Sequence, residues 1–485
     1  MADSKLTALG NLAAPTRDDL LYVVDDPAGA PISYKATVQG VISGPDLFVA
    51  ASNASANSIK NADYVCDGTA DDVQIQAAID ALPAAGGRVV LSEGNFYIAA
   101  TINIRHQLWL SGSGIHATQL YLIDGIDDNM IEYDHGGDGV TLWLTLEQMT
   151  LSGNKANQAA GHGIYIPAAP DTLSDVRLRD MYILNFKEDG IHLLYNWNYK
   201  LDNLVVEYND GYGLYLAAGN EATIKGCHIT SNTLSGVYSN SNQHRTTFLG
   251  GEYARNGEHG IHIVGPDNAI IGATFVDNSQ TVANTSSDVR AYPSNIKVLG
   301  CNFLATTDSK YHVSVVATTT GMVVVGNTFG GAVTAPMEIA GATIYAHQNA
   351  GYVMPGEIRS SWGTLTAGNA NAICFAWHNP EAQDILIKKV IVEVTTAGGT
   401  PGSHLDVGIA DDAAGTNRGI EFFDDLLLNS AQVDDSWVGG DGGTQTKWVF
   451  CQDSASGTDG WVVGQILDAN AASLAGRYYI EYAGR

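Results

Sequence analysis

Five short strings constrain this chain more than anything else in it. They are GHGIYI, EDGIHL, GYGLYL, LSGVYS and EHGIHI, each a glycine followed by an aliphatic residue. The key glycines are Gly163, Gly190, Gly213, Gly236 and Gly260, spaced by 27, 23, 23 and 24 residues. A second series, Asn209, Asn232, Asn256 and Asn278, keeps the same beat, with Asn154 and Asn185 leading into it. Three residues before each Asn sits Leu151, Tyr182, Val206, Ile229, Tyr253 or Phe275. A third series places glycine before a strand, in IKGCHI, FLGGEY, IIGATF, VLGCNF and VVGNTF. A unit of this length is too small to bury its own core, but copies stacked about 4.8 Å apart bury a continuous one. Asn tolerates the left-handed conformation at a corner, and its amide can bond the next Asn along the stack. Glycine at the strand entry allows a sharp bend. The spacing predicts a parallel β-solenoid of about ten coils over residues 88–350. A leucine-rich repeat has a similar period, but its L-x-x-L-x-L frame is absent.

Such a stack has open ends that would add strands unless covered. DGTADDVQIQAAIDALPAAGG supplies a cover at one end. Asp71 is placed to cap a helix with Gln74 three residues on, and Ile75, Ala78, Ile79 and Leu82 share a face. Pro83 and Gly86-Gly87 end it. Residues 45–62 are rich in Ala, Ser and Asn and read as a linker, so 45–87 is expected to be linker plus capping helix. After residue 350 the repeat stops. Short strands separated by Gly, Asp and Ser turns follow, and Val390, Val392 and Val394 alternate with Ile391 and Glu393. This predicts a jelly-roll-like β-sandwich over 351–485.

The run from Asp67 to Ile98, DGTADDVQIQAAIDALPAAGGRVVLSEGNFYI, followed by LSGSG, resembles the entry of pectate-lyase-like right-handed β-helix proteins, a superfamily that includes many phage tailspikes. It departs from their pattern at Ser92-Glu93, where proline is common. Residues 1–44 look like the short N-terminal module at the virion-proximal end of phage tail proteins, although DLLYVVDDPAGAPISYK also reads as an ordinary hairpin. The resemblance implies an all-β chain: an N-terminal virion-attachment-like module, a capping helix, a right-handed parallel β-helix and a C-terminal sandwich. It further implies a homotrimer in the virion tail that touches tail or baseplate proteins and host cell-surface polysaccharide, with depolymerase activity left open.

Charge narrows the partners. With 52 acidic against 24 basic residues the formal net charge is −28, which argues against nucleic acid and against an anionic membrane surface. No run approaches the ~18 apolar residues of a membrane span. The N-terminus shows no secretory pattern, and Cys66, Cys227, Cys301, Cys374 and Cys451 are scattered without a CxxC. Buried free thiols and synthesis in a host cytoplasm are expected. No metal or cofactor motif stands out.

Register then places candidate site residues. Positions +1 and +3 from each key glycine are apolar and point inward, so position +2 points outward. It holds Tyr165, His192, Tyr215, Tyr238 and His262. An outer row of rings reads either as a glycan track or as a surface ladder of β-formers. Tyr195, Trp197 and Tyr199 sit beside it in LLYNWNYK, with Trp197 as a sugar platform or a ring folded over the coil edge. Glu188, Asp189, Asp210 and Glu258 are candidate catalytic acids, because glycoside hydrolysis needs two carboxyls at about 5–5.5 Å or about 6.5–9.5 Å. Solvated loop acids are the alternative. Pectate lyases use acids with calcium and an arginine. No arginine here matches that motif, so hydrolase chemistry is favoured over lyase chemistry. Asp124, Asp127, Asp128, Glu132 and Asp134 read as a calcium loop or a solvated one. His259 and His262, three apart on a strand, are expected to face opposite sides. A free-standing polysaccharide-degrading enzyme and a non-catalytic spacer remain as alternatives.

Overall fold

The computed structural model describes strands Leu20–Asp25 and Ile32–Thr37 and residues 46–485, apart from 135–140, 169–172, 293, 306–307, 317–319, 332, 340–342, 382, 437–447 and 453–456. Of the expected N-terminal module, only an antiparallel hairpin between those two strands lies within the described residues. The fold is all-β, with a parallel solenoid of about ten turns and antiparallel sheets at the C-terminus. By compactness the chain divides into residues 1–243 and 244–485.

In the first unit the solenoid starts earlier than its sequence suggests. Within the stretch read as a linker, strand Asp46–Ala50 pairs in parallel with Gly87–Leu91, and helix Ala56–Asn61 follows, so residues 46–61 belong to the solenoid. This strand, DLFVA, precedes the glycine and asparagine series that mark the later coils, so the spacing does not reveal it. The capping helix spans Asp72–Ala81 and buries Ile75, Ala78 and Ile79. Asp71 does not cap it with its side chain. Its carboxylate accepts from the backbone N–H of Gly68 and of Tyr97, both at 2.8 Å, which ties the cap to the first coil.

Register is kept from coil to coil. Ile102, Ile131, Ile164, Ile191 and Leu214 form one buried row, and Leu120, Leu151, Ile183, Val206 and Ile229 another. Tyr182 is one place out of that second row, and Ile183 holds the inward position instead. Buried asparagines ladder as expected, with Asn209 Nδ2 donating to Asn232 Oδ1 at 2.9 Å. The left-handed corner residue, however, is the one before: Tyr208 has φ 58° and Ser231 φ 56°. Asn185 holds that corner one coil earlier, with φ 59°. The key glycines answer to space rather than to φ. A Cβ on Gly213 would lie 2.4 Å from Ile229 Cγ2, and one on Gly190 2.5 Å from Val206 Cγ1.

In the second unit the amide ladder continues, Asn256 Nδ2 to Asn278 Oδ1 at 3.0 Å and Asn327 Nδ2 to Asn349 Oδ1 at 2.9 Å. Beside it runs a buried ring stack. Centroids lie 5.4 Å apart for Tyr253–Phe275, 4.9 Å for Phe275–Phe303 and 5.0 Å for Phe303–Phe329. Beyond it, two antiparallel sheets face each other. One contains Ile358–Thr364, Ile385–Thr396 and Ala475–Gly484, the other Ile373–His378, His404–Ala410 and Trp461–Leu467. Val390, Val392 and Val394 are buried as their alternation required, and they share one core with Val407, Phe423 and Val462. All five cysteines are free and buried.

Candidate functional site

The strand Ile191–Leu193 turns Ile191 and Leu193 into the core and leaves His192 outside. Register sets His192 against Tyr165 on one side and Tyr215 on the other. Their rings lie 5.4 and 4.4 Å away, and Tyr238 continues the row 5.4 Å from Tyr215. His192–Tyr215 and Tyr215–Tyr238 stack nearly parallel, at 13° and 10°. These rings spend their faces on one another, so the row offers a ligand its edges, nitrogens and hydroxyls. It is a hydrogen-bonding surface more than a stacking platform.

A second row, absent from the sequence reading, lies beside the first. His162, Asp189 and Tyr212 each precede a key glycine, and the coil corner turns them onto the same outer face. The His162 and His192 rings are 4.4 Å apart. Asp189 is buried between them. Its Oδ2 lies 2.5 Å from His192 Nδ1, its Oδ1 accepts from the Tyr212 N–H at 2.6 Å, and its own N–H donates to His162 Nδ1 at 3.0 Å. Glu188 Oε2 is 3.4 Å from His162 Nε2 and half exposed. His162, Glu188 and His192, together with Asp127, Asp128, Glu132 and Tyr165, line an open groove of about 350 Å³. The signal that could have found His162 was its place one residue before Gly163, matching Asp189 before Gly190.

The other candidates separate. Asp210 turns to Lys155 and Lys187, at 2.9 Å from each. Partial burial pushes its pKa up, but the hydrogen bonds from Lys187 and Lys155 outweigh this and hold it below the usual range. It is thus a fixed anion, unsuited to be the protonated partner of Asp189. Glu258 lies in the second unit. Trp197 is exposed, as a sugar platform requires, and Tyr195 is half-buried. Tyr199 is wholly buried and donates to the Tyr195 carbonyl at 3.3 Å, so it cannot meet a glycan. The acids of the expected calcium loop are spent on local amides. Asp124 accepts from Asn154 and Asn157, Asp127 from the Ala159 N–H, and Glu132 from Asn129. Among the described residues, the groups of metal-ligand type that converge are His162–Asp189–His192 and two sets in the sandwich that share Asp425.

His259 and His262 correct another expectation. Their rings lie 4.9 Å apart edge to face, because His259, like His162, sits at the corner and escapes the strand's alternation. Burial lowers their pKa values to about 3 and about 4 from 6.5, and burial also lowers that of His162 against the pull of Asp189. A histidine with a depressed folded pKa binds fewer protons folded than unfolded. Its contribution to stability is complete above the unfolded pKa of about 6.5 and is lost as pH falls toward the folded one. The thermal midpoint should therefore drop between about pH 6.5 and 4, and His259→Gln with His262→Gln should flatten that slope. A double variant with an unchanged slope would count against this assignment.

The family model described as "Right handed beta helix region" matches residues 122–280, the stretch that carries this groove. Mannuronan C5-epimerase AlgE6 of Azotobacter vinelandii is 30% identical over 179 residues, which are 32% of this chain and 20% of that protein. The chain thus spans about a fifth of the length of the curated relatives it matches. Among solved structures, ORF18 of Geobacillus virus E2 superposes with a TM-score of 0.50 at 15% identity, covering 94% of this chain and 84% of that one. Full-length tailspike protein 2 from an Escherichia coli O157:H7 bacteriophage follows at 0.45 and 11%, covering 98% and 80%. The fold is therefore a right-handed β-helix.

Proposed function

We propose that this chain is a phage tailspike or tail-fibre subunit that binds host cell-surface polysaccharide and modifies it in the groove beside His192. The observation that carries this reading is the opening of His162, His192 and Glu188 into one groove on the outer face of the solenoid, with Asp189 buried and bonded to both imidazoles. The same fold in a virus protein, matched across 94% of the chain, is in keeping with a viral setting. The epimerase relatives support carbohydrate chemistry on such a scaffold. In this reading residues 1–44 attach to tail or baseplate proteins, residues 46–350 carry the glycan site, and residues 351–485 serve trimerisation or receptor contact.

The chemistry is acid–base catalysis by imidazoles rather than by a carboxylate pair, since Asp210 is held by two lysines and Asp189 is bound to His192. The rim carries Asp127, Asp128, Glu132 and Glu188, so a neutral polymer fits it better than a polyanion. Light scattering combined with a polysaccharide panel tests the whole. A homotrimer of the 51.2 kDa chain that binds a surface polysaccharide and changes its products is expected. New reducing ends alone would indicate hydrolysis, reducing ends with a new double bond a lyase, and altered sugar signals without shortening an epimerase. A monomer that releases sugars would favour the free-standing enzyme. Absence of both binding and product would favour the spacer.

A further inference from the structure

We infer that Asp189 holds two facing imidazoles in opposite tautomers, so that the groove presents one N–H donor, His162, beside one base, His192. The backbone N–H of Asp189 donates to His162 Nδ1 at 3.0 Å. That nitrogen must carry a lone pair, so in the neutral ring the proton sits on Nε2. His162 Nε2 accordingly faces the carboxylate of Glu188, 3.4 Å away. The side chain of the same Asp189 does the reverse to His192. Its Oδ2 is 2.5 Å from Nδ1 and needs a donor, which places the proton on Nδ1 and the lone pair on Nε2. Its Oδ1 is already engaged by the Tyr212 N–H at 2.6 Å, which keeps the carboxylate from turning away. His192 Nε2 has no hydrogen-bond partner among the described residues, and His192 lines the groove.

One residue thus acts through its main chain on one ring and through its side chain on the other. The rings are 4.4 Å apart, close enough for both to reach neighbouring atoms of one sugar. His192 Nε2 takes a proton from a sugar hydroxyl, the O–H bond breaking with its electron pair left on the oxygen. The Nε2–H of His162 hydrogen-bonds the charge that develops, and Asp189 balances the imidazolium formed at His192. The groups facing this pair are Tyr165 from the preceding coil, Tyr215 from the following one, Glu188 beside His162, and Asp127, Asp128 and Glu132 across the groove. The same protons argue against a metal here, although the ligand-type atoms lie within 4.8 Å of one another. Both Nδ1 atoms are engaged by Asp189, and the remaining nitrogen of His162 has no lone pair to give. The catalytic consequence rests on the glycan-modifying reading above. The tautomers do not.

The test is nitrogen NMR of the full chain labelled with ring-15N histidine, with His162→Gln and His192→Gln assigning the two signals. At a pH where both rings are neutral, His162 should be Nε2-protonated and His192 Nδ1-protonated. Asp189→Asn should switch His192 to the Nε2-protonated form and leave His162 as it was, because only the side chain has changed. The same tautomer on both rings would overturn the inference. So would His192 unchanged in Asp189→Asn, or added Zn²⁺ shifting both signals at stoichiometric concentration. The wild-type spectrum alone decides the first point if Asp189→Asn fails to fold. Opposite tautomers in a protein that modifies no polysaccharide would uphold this inference and overturn the glycan reading.

Discussion

Replacing His192 with glutamine should slow glycan modification by about 10²–10⁴-fold, the span that a positioned acid–base group contributes. The fall is expected in kcat, with KM nearly unchanged. His192 sits outside the apolar core, between Tyr165 and Tyr215, and glutamine can keep a hydrogen bond to Asp189 while having no basic nitrogen to offer. The loss should therefore appear without a comparable loss of stability. His162→Gln should give a smaller fall, because an amide N–H can still donate toward the groove. The measurement is steady-state turnover on whichever polysaccharide the panel identifies. Full activity in His192→Gln would remove His192 from the chemistry and leave the imidazole row as a surface ladder.

The largest effect on stability is expected from Phe275→Ala. Phe275 is fully buried, lies within 8° of parallel to Phe303 at 4.9 Å, and stacks on Tyr253 from the other side at 5.4 Å. Truncating such a ring removes its transfer free energy and leaves a cavity, at a cost of about 3–5 kcal/mol. The neighbours cannot close the gap readily, because their coils are held in register by Glu252–Ala254 against Thr274–Val276 and by Asn302 and Phe303 beyond. A stacked array need not unfold in one step, so a single melting temperature would understate the effect. Hydrogen exchange of the strands at 252–254, 274–276 and 302–305 is the sharper readout. Protection lost there first would fit a local cavity. Unchanged protection would mean that the stack adds little beyond the aliphatic rows.

Much of this fold was legible in the sequence because repetition amplifies weak signals. One glycine before an isoleucine says little, but five at a near-constant spacing fix which residues enter the core. The positions +1 and +3 were read correctly for that reason. The alternation of Val390, Val392 and Val394 was equally plain. Corners were not legible. A residue directly before a key glycine does not obey the period of two, so His162 went unnoticed and His259 was assigned to the wrong side. The left-handed corner proved to be Tyr208 or Ser231, one place before the conspicuous asparagine, whose task is the amide ladder instead. Tyr199 looked like a surface aromatic in a polar stretch, but burial of its ring outweighed the one polar atom, which finds the Tyr195 carbonyl. Strand Asp46–Ala50 lies ahead of the recurrent glycines and asparagines, so no spacing pointed to it. Asp210 looked like a partner for Asp189, and only its pairing with lysines 55 and 23 residues away gave it another role.

The separation of rows along each coil has an evolutionary consequence. Stability is stored in the aliphatic positions +1 and +3, whereas the side chains at 162, 165, 192 and 215 lie outside that core and meet their neighbours in the outer rows. A substitution at 162, 165, 192 or 215 can therefore alter what the groove accepts while leaving the inner rows of Ile164, Ile191 and Leu214 untouched. Such a protein can change its target by point mutation without first acquiring a stabilising one. Under the proposed tail assignment, a particle whose hosts vary their surface sugars would adapt at little cost in foldedness, and lineages sharing this scaffold should diverge fastest at these outer rows.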